Sequence, residues 1–349
     1  MTVAEPIPDT VQRVHDAALI IDCRDPTFLL YRQTGDEKEA YWDTIAQSGL
    51  SAIVVDVPWT EDAFREASIN FAAWHERVAN HPGTLVVRQA SDIVAAKERG
   101  RVGFVLSSQT PTIIENELLL LRALYEQGLR VMEMTYQKAN LLADGCGDPR
   151  GGGLTAFGKR AVAEMNRIGI AIDLSHASDR TMVETIAESS EPVFFSHSNA
   201  RGRVDHVRNV PDETLRELVA RGGICGISAY SAFLKEGGGE SGTDLTDYIA
   251  MVDYMVDLIG IDHVGMGFDV GESRTHQEAA LIGGGNPKLT HDPSTRYVKE
   301  LMTRSRLPRL TEALLNAGYD EESVGKFLGG NVLKFFERVW APGAPSAAA

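Results

Sequence analysis

The sequence predicts one (β/α)₈ barrel, and three observations predict it. Eight short apolar, β-branched segments recur along the chain. Amphipathic stretches of helical period alternate with them, the pattern of βα units around a parallel sheet. The composition, 43% hydrophobic and 24% charged over 349 residues, supplies a large core. That length also fits two average domains. The unbroken alternation decides for a single barrel over residues 1–340, followed by a low-complexity tail, APGAPSAAA, expected to be disordered.

In order, the predicted strands are 18–22 (ALIID), 52–57 (AIVVDV), 102–106 (VGFVL), 129–134 (LRVMEM), 168–174 (IGIAIDL), 193–196 (VFFS), 223–228 (GICGIS) and 263–267 (HVGMG). Helical segments between them include 116–127, 155–167 and 211–221, the last opening on Pro-Asp-Glu, a suitable first turn. Two longer glycine-rich stretches, 140–153 and 271–294, follow the fourth and eighth strands. In such barrels the chemistry sits at the strands' C-terminal ends, so these two are the expected substrate loops. The glycine runs 151–153, 237–239 and 283–285 lack the strand-loop-helix pattern of a phosphate loop and read as hinges.

The formal net charge of −15 excludes phosphate backbones and anionic lipid as partners, because such binders carry a clustered basic face. Cys23, Cys146 and Cys225 are odd in number and far apart, which argues against a disulfide framework and for a reducing compartment. The first 22 residues carry no basic segment ahead of an apolar core, and no apolar run approaches the roughly 20 residues of a membrane span. The expectation is a cytoplasmic protein without nucleic-acid or membrane partners.

The strand ends carry the chemistry. The fifth closes as Asp-Leu-Ser-His176 and the sixth as Phe-Ser-His197, placing imidazoles at two adjacent strand mouths, where they can share one cation. A catalytic metal needs about three protein ligands and an open position for water. The eighth strand closes on Asp269, a ligand or a base for the water proton, or otherwise a cap for the following turn. Cys23 reads as packing before it reads as a thiolate. Glu133, which interrupts an apolar strand, is expected to face a polar neighbour outside the barrel, and His206 and His263 to serve local hydrogen bonds.

The run DLSHASDRTMVETIAESSEPVFFSHSNARGRVDHVRNVPDETLRELVARGGICGIS resembles the membrane (renal) dipeptidase family of the amidohydrolase superfamily. The resemblance extends through ALYEQGLRVMEMTYQKAN, GLTAFGKRAVAEMNRIGI, IGIDHVGMGFD and FLGGNVLKFFERVW, and more weakly to the first strand. It implies a (β/α)₈ barrel with two zinc ions that hydrolyses dipeptides and related amides, and it makes a homodimer the expected assembly. By this resemblance His176 and His197 are ligands of one zinc, Arg208 grips a substrate carboxylate and Asp269 is the catalytic carboxylate. Arginine suits that task because its fork pairs with a carboxylate bidentately.

Other positions depart from the family. Arg24 and Pro26 replace a His-x-Asp zinc pair, Gln109 replaces the glutamate that bridges both zincs, and Tyr136 replaces a histidine that polarises the substrate. Arginine and proline cannot ligate zinc, a neutral amide lacks the charge to hold two cations together, and a phenol can still donate to an oxyanion. One divalent ion, zinc by resemblance, or none is therefore expected. Its third ligand is sought among Asp269, Gln109, Asp22 and Asp25, and Arg24 is a candidate to hold a substrate anion by its charge. Two imidazoles with an oxygen ligand suit zinc, manganese and iron alike. The functional expectation is hydrolysis of a small carboxylate-bearing amide, a dipeptide or an N-acyl amino acid. The alternatives are a decarboxylase, lyase or other hydrolase of a small carboxylate-bearing metabolite, and a catalytically silent binding relative.

Overall fold

The structure is a computed structural model that describes residues 6–26, 36–148, 151–271 and 293–340. The expected tail after residue 340, residues 272–292 of the second long loop and the glycine run 283–285 lie outside these.

The strands are β1 (Ile21–Asp25), β2 (Ala52–Asp56), β3 (Thr84–Val86), β4 (Val102–Ser108), β5 (Leu129–Glu133), β6 (Ala171–Asp173), β7 (Phe194–Phe195), β8 (Ile224–Ile227) and β9 (Val264–Met266). Eight of them close into a parallel barrel: β1 pairs with β2, β2 with β4, then β4 through β9 in sequence, and β9 returns to β1. The ninth, β3, pairs with Val102–Phe104 of β4, on the stretch before Leu106–Ser108 meets β5. At three residues it is too short to stand out in a periodicity.

Helices follow the strands where local chemistry starts and stops them. The helix Ala156–Ile168 begins where the Thr155 hydroxyl accepts from the Gly158 amide, and it ends at Gly169, whose left-handed conformation (φ 83°) suits glycine. Asp244 caps the helix Leu245–Ile259 by accepting from the Thr246 and Asp247 amides. Among the described residues no helix is long and apolar enough to cross a membrane.

Alternation along the strands sorts the apolar residues into two cores. Ile53, Val55, Leu106, Met132 and Ile172 face outward and pack under the helices. Ile21, Cys23, Ala52, Val54, Val105, Val131, Ala171, Phe194 and Ile224 pack together in a second core with Val332, Phe335, Phe336, Val339 and Trp340. The latter five come from the C-terminal helix Asn331–Val339 and its following residue. This helix lies across the strands' N-terminal ends: Asn331 donates to the Val264 carbonyl and the Trp340 indole to that of Arg130.

One irregularity positions the site. In β1, Asp22 pairs with Ile53 and Asp25 with Val55, so Cys23 and Arg24 together oppose Val54. This is a β-bulge, and it turns an extra side chain to the same face. Cys23 stays with the inner apolar layer, Arg24 rises into the barrel above it, and Asp22 and Asp25 both face the helices.

A candidate metal centre at the barrel mouth

The polar ends of β1, β2, β5 and β6 and the residues after β6 and β7 converge at the C-terminal mouth. His176 and His197 face each other with Nε2 atoms 3.0 Å apart, both imidazoles buried. Burial, reinforced by the charges of Arg24 and Arg208, holds both well below the usual imidazole range, so both are neutral. Glu133 joins them: among the described residues Glu133, His176 and His197 are the group of potential ligands whose donor atoms lie within 4.8 Å of one another. Its Oε1 accepts from Arg24 at 2.6 Å, while Oε2 is buried without a hydrogen-bond partner.

These residues fit one divalent ion. Two nitrogens that each lie about 2.0–2.1 Å from a shared ion stand roughly 2.9–3.4 Å apart at octahedral to tetrahedral angles, and the observed separation falls in that range. Two neutral imidazoles and one carboxylate are a donor set of the kind a catalytic zinc takes, and manganese and iron also accept it. Arg24 and Arg208 do not offset the cost of burying the carboxylates here. Burial pushes the Glu133 carboxyl well above its ordinary range even with Arg24 opposing it, and pushes Asp56 up to about 7.

A hydrogen-bond chain orients His197. Its Nδ1 lies 2.7 Å from Ser196 Oγ, Ser196 Oγ is 3.2 Å from Ser175 Oγ, and Ser175 Oγ donates to Asp173 Oδ1 at 2.6 Å. Run as donors from Nδ1–H to the carboxylate, these bonds are all satisfied and leave the Nε2 lone pair free for a metal. A carboxylate at the far end of such a chain fixes the imidazole's tautomer and raises its basicity. Two glycines let the barrel close around this corner. A Cβ on Gly267 would stand 1.7 Å from the Ser196 carbonyl oxygen, and one on Gly226 2.2 Å from it.

Arg208 stands against this pair. Nη2 lies 3.4 Å from both His176 Nε2 and the His197 carbonyl, and Nη1 is buried without a partner, although the side chain is a cation only 2% exposed. The ring of Tyr136, half-buried, sits 4.6 Å from that of His176. Asp269 is half-buried just past β9 in a left-handed conformation (φ 59°), its amide bonded to the Arg24 carbonyl and its charge felt by Arg24. A non-glycine residue so held stores about 1–3 kcal/mol of strain, which concentrates at functional sites.

Several expectations are corrected by this geometry. Glu133 does not turn outside the barrel: it falls on the same face as Val131, and its neighbours there are Arg24 and the two histidines. Asp22 and Asp25 are not near the histidines. The bulge turns them outward, where both meet Arg304, at 3.0 and 3.3 Å. Arg24 is fully buried and bonds Asp56 and Glu133, so its guanidinium is already matched by carboxylates from within the chain. Gln109 is buried directly after β4, and Asp269 lies outside the converging group. Cys23 is buried, and burial holds its thiol protonated. His206 accepts from the Arg208 amide and His263 pairs with the Gly223 carbonyl, both local contacts as expected.

Fold and site together define a (β/α)₈-barrel protein with a buried candidate metal centre at its C-terminal mouth. The family model for membrane dipeptidases (peptidase family M19) matches residues 41–279, and the chain belongs to that family. Dipeptidase 3 of Mus musculus is 33% identical over 232 residues, which are 65% of this chain and 42% of that protein. Dipeptidase tcpJ of Claviceps purpurea is 30% identical over 256 residues, 73% of this chain and 55% of that protein. The chain thus spans about half the length of these curated relatives. A solved amidohydrolase from Pseudomonas aeruginosa superposes with a TM-score of 0.86 at 28% identity, covering 95% of this chain and 99% of that one. A metallo peptidase from Rhodobacter sphaeroides, liganded with a phosphinate mimic of the dipeptide L-Ala-D-Ala, shares the fold at TM-score 0.75 and 22% identity, covering 93% of this chain and 99% of that one. Arg24 precedes the matched residues, whereas Glu133, His176, His197, Arg208 and Asp269 lie within them.

Proposed function

We propose that the chain is a hydrolase of small amides that carry a free carboxylate, dipeptides or N-acyl amino acids, and that it works with one divalent ion on His176, His197 and Glu133. The observation that carries this reading is the convergence of two neutral imidazole nitrogens, 3.0 Å apart, with a buried carboxylate. Bound there, such an ion supplies a Lewis acid for the amide carbonyl and acidifies a water. The protein's own groups do the rest. Arg208, buried beside His176 with Nη1 unpaired, receives the substrate carboxylate and sets the scissile bond against the histidines. Asp269, half-buried at the opening, takes the proton of the attacking water and returns it to the leaving amine. Tyr136, ring to ring with His176, is placed to donate to the oxygen that becomes negative.

The test is a panel of dipeptides and N-acyl amino acids, each paired with its C-terminal amide, assayed with the zinc-, manganese- and iron-loaded chain. Free carboxylates should be hydrolysed with kcat/KM about 10²–10³ above the amides, the size of losing a buried charge pair, and Arg208→Met should erase the preference. Equal rates on both members of each pair would refute the assignment of Arg208, and no hydrolysis of any member would refute the reaction.

A further inference from the structure

A metal-ligating glutamate has three rotatable side-chain bonds, and something must hold it in one orientation. Here the holder is visible. The Arg24 guanidinium forks: Nη2 donates to Glu133 Oε1 at 2.6 Å, and Nη1 donates to Asp56 Oδ1 at 2.8 Å. Asp56 Oδ1 also accepts from Ser107 Oγ at 2.9 Å, and the same hydroxyl lies 2.8 Å from the Val55 carbonyl. Four strands, β4, β2, β1 and β5, thus each contribute one side chain to an unbroken relay that ends on Glu133. All four side chains are buried, so little water competes for the bonds. Arg24 takes part only because of the bulge in β1. In regular pairing it would share the outward parity of Asp22.

We propose that Arg24 is a positioning residue for the metal centre. Anchored by Asp56 and Ser107, it occupies one oxygen of Glu133 and presents the carboxylate to His176 and His197. The inference rests on the metal reading above. The charges agree with it: Arg24 faces two carboxylates, Asp56 and Glu133, and leaves one formal negative charge of the three groups for a cation at the histidines. Without Arg24, Glu133 loses its fixed orientation and two buried carboxylates lose their partner. Partners in this position typically change metal affinity by about 10–100-fold.

The experiment titrates Zn²⁺ into the full, metal-stripped chain against a chromophoric chelator and records the visible spectrum of the Co²⁺ form. Arg24→Met should bind Zn²⁺ about 10–100-fold more weakly and shift the Co²⁺ bands, and Arg24→Lys, which keeps a charge against Glu133, should recover part of both. Should Arg24→Met fail to fold, Asp56→Asn tests the same relay and should bind Zn²⁺ about three- to tenfold more weakly than wild type. If whichever variant folds matches wild type in affinity and Co²⁺ spectrum, the proposal falls while the metal site stands. If the wild-type chain takes up no Zn²⁺, the metal reading itself fails.

Discussion

At the N-terminal end of the barrel, the helix Asn331–Val339 packs Val332, Phe335 and Phe336 against the inner apolar layer, and the Phe336 ring stacks on Trp340 at 4.0 Å. At the C-terminal end, the same strands turn Arg24, Asp56, Glu133 and Asp173 into the barrel, and each leaves a polar atom buried without a hydrogen-bond partner. Two or three residues along a strand separate these regimes, as from Val131 to Glu133. The lower half is packed as a core is packed, with only area and shape to satisfy. The upper half carries buried charges that destabilise the fold unless something completes them. Fold stability therefore resides at the floor and function at the mouth, so substitutions at the two ends should have separable effects.

The largest effect is expected at the floor. Phe336→Ala removes a fully buried ring and should cost about 3–5 kcal/mol in urea unfolding, with the metal content of the surviving folded protein unchanged. A loss of metal in parallel would mean that floor and mouth are coupled. Gly267→Ala probes the boundary. Its Cβ would meet the Ser196 carbonyl oxygen at 1.7 Å, and the Ser196–His197 backbone directly after β7 must give way. About 2–3 kcal/mol of stability should go, and because the shifted segment carries His197, zinc affinity should fall with it. Unchanged zinc affinity in a destabilised variant would sever that link.

A smaller effect is set by pH. Burial, with Arg208 and Arg24, holds His176 and His197 neutral well below the ordinary imidazole value of about 6.5. The unfolded chain takes up protons below that value while the fold does not, so the pair's contribution is present above about pH 6.5 and lost as pH falls. Between about pH 6.5 and 5.5 the metal-free chain should lose about 1–2 kcal/mol relative to a His176→Gln, His197→Gln variant, because Asp56 and Glu133, raised by burial and acting in the opposite sense, are common to both. Parallel slopes for the two proteins would contradict the burial of two neutral imidazoles.

The comparison also shows what a sequence reveals. The barrel was legible because apolar strands alternating with amphipathic helices are a long-range pattern that survives irregular ends. His176 and His197 were legible because each closes a strand at the mouth. The remaining site residues were hidden for physical reasons. The β1 bulge reverses parity within one strand, so Arg24 turns in while Asp22 and Asp25 turn out, and no composition announces it. Glu133 reads as an intruder in VMEM, although its two-residue spacing from the inward Val131 signals an inward face. Arg304, the partner of Asp22, lies 282 positions away in the sequence, and nothing local points to it. The serines of the His197 chain are ordinary in isolation and acquire a role only when β6 and β7 lie side by side.

That the mouth is built around one divalent ion on His176, His197 and Glu133 can be decided by elemental analysis of the purified chain beside a His176→Ala, His197→Ala variant, without added chelator. About one equivalent in the native chain, absent from a variant that still folds, is the predicted result. No metal in the native chain, two equivalents, or one equivalent that persists without the histidines would contradict it.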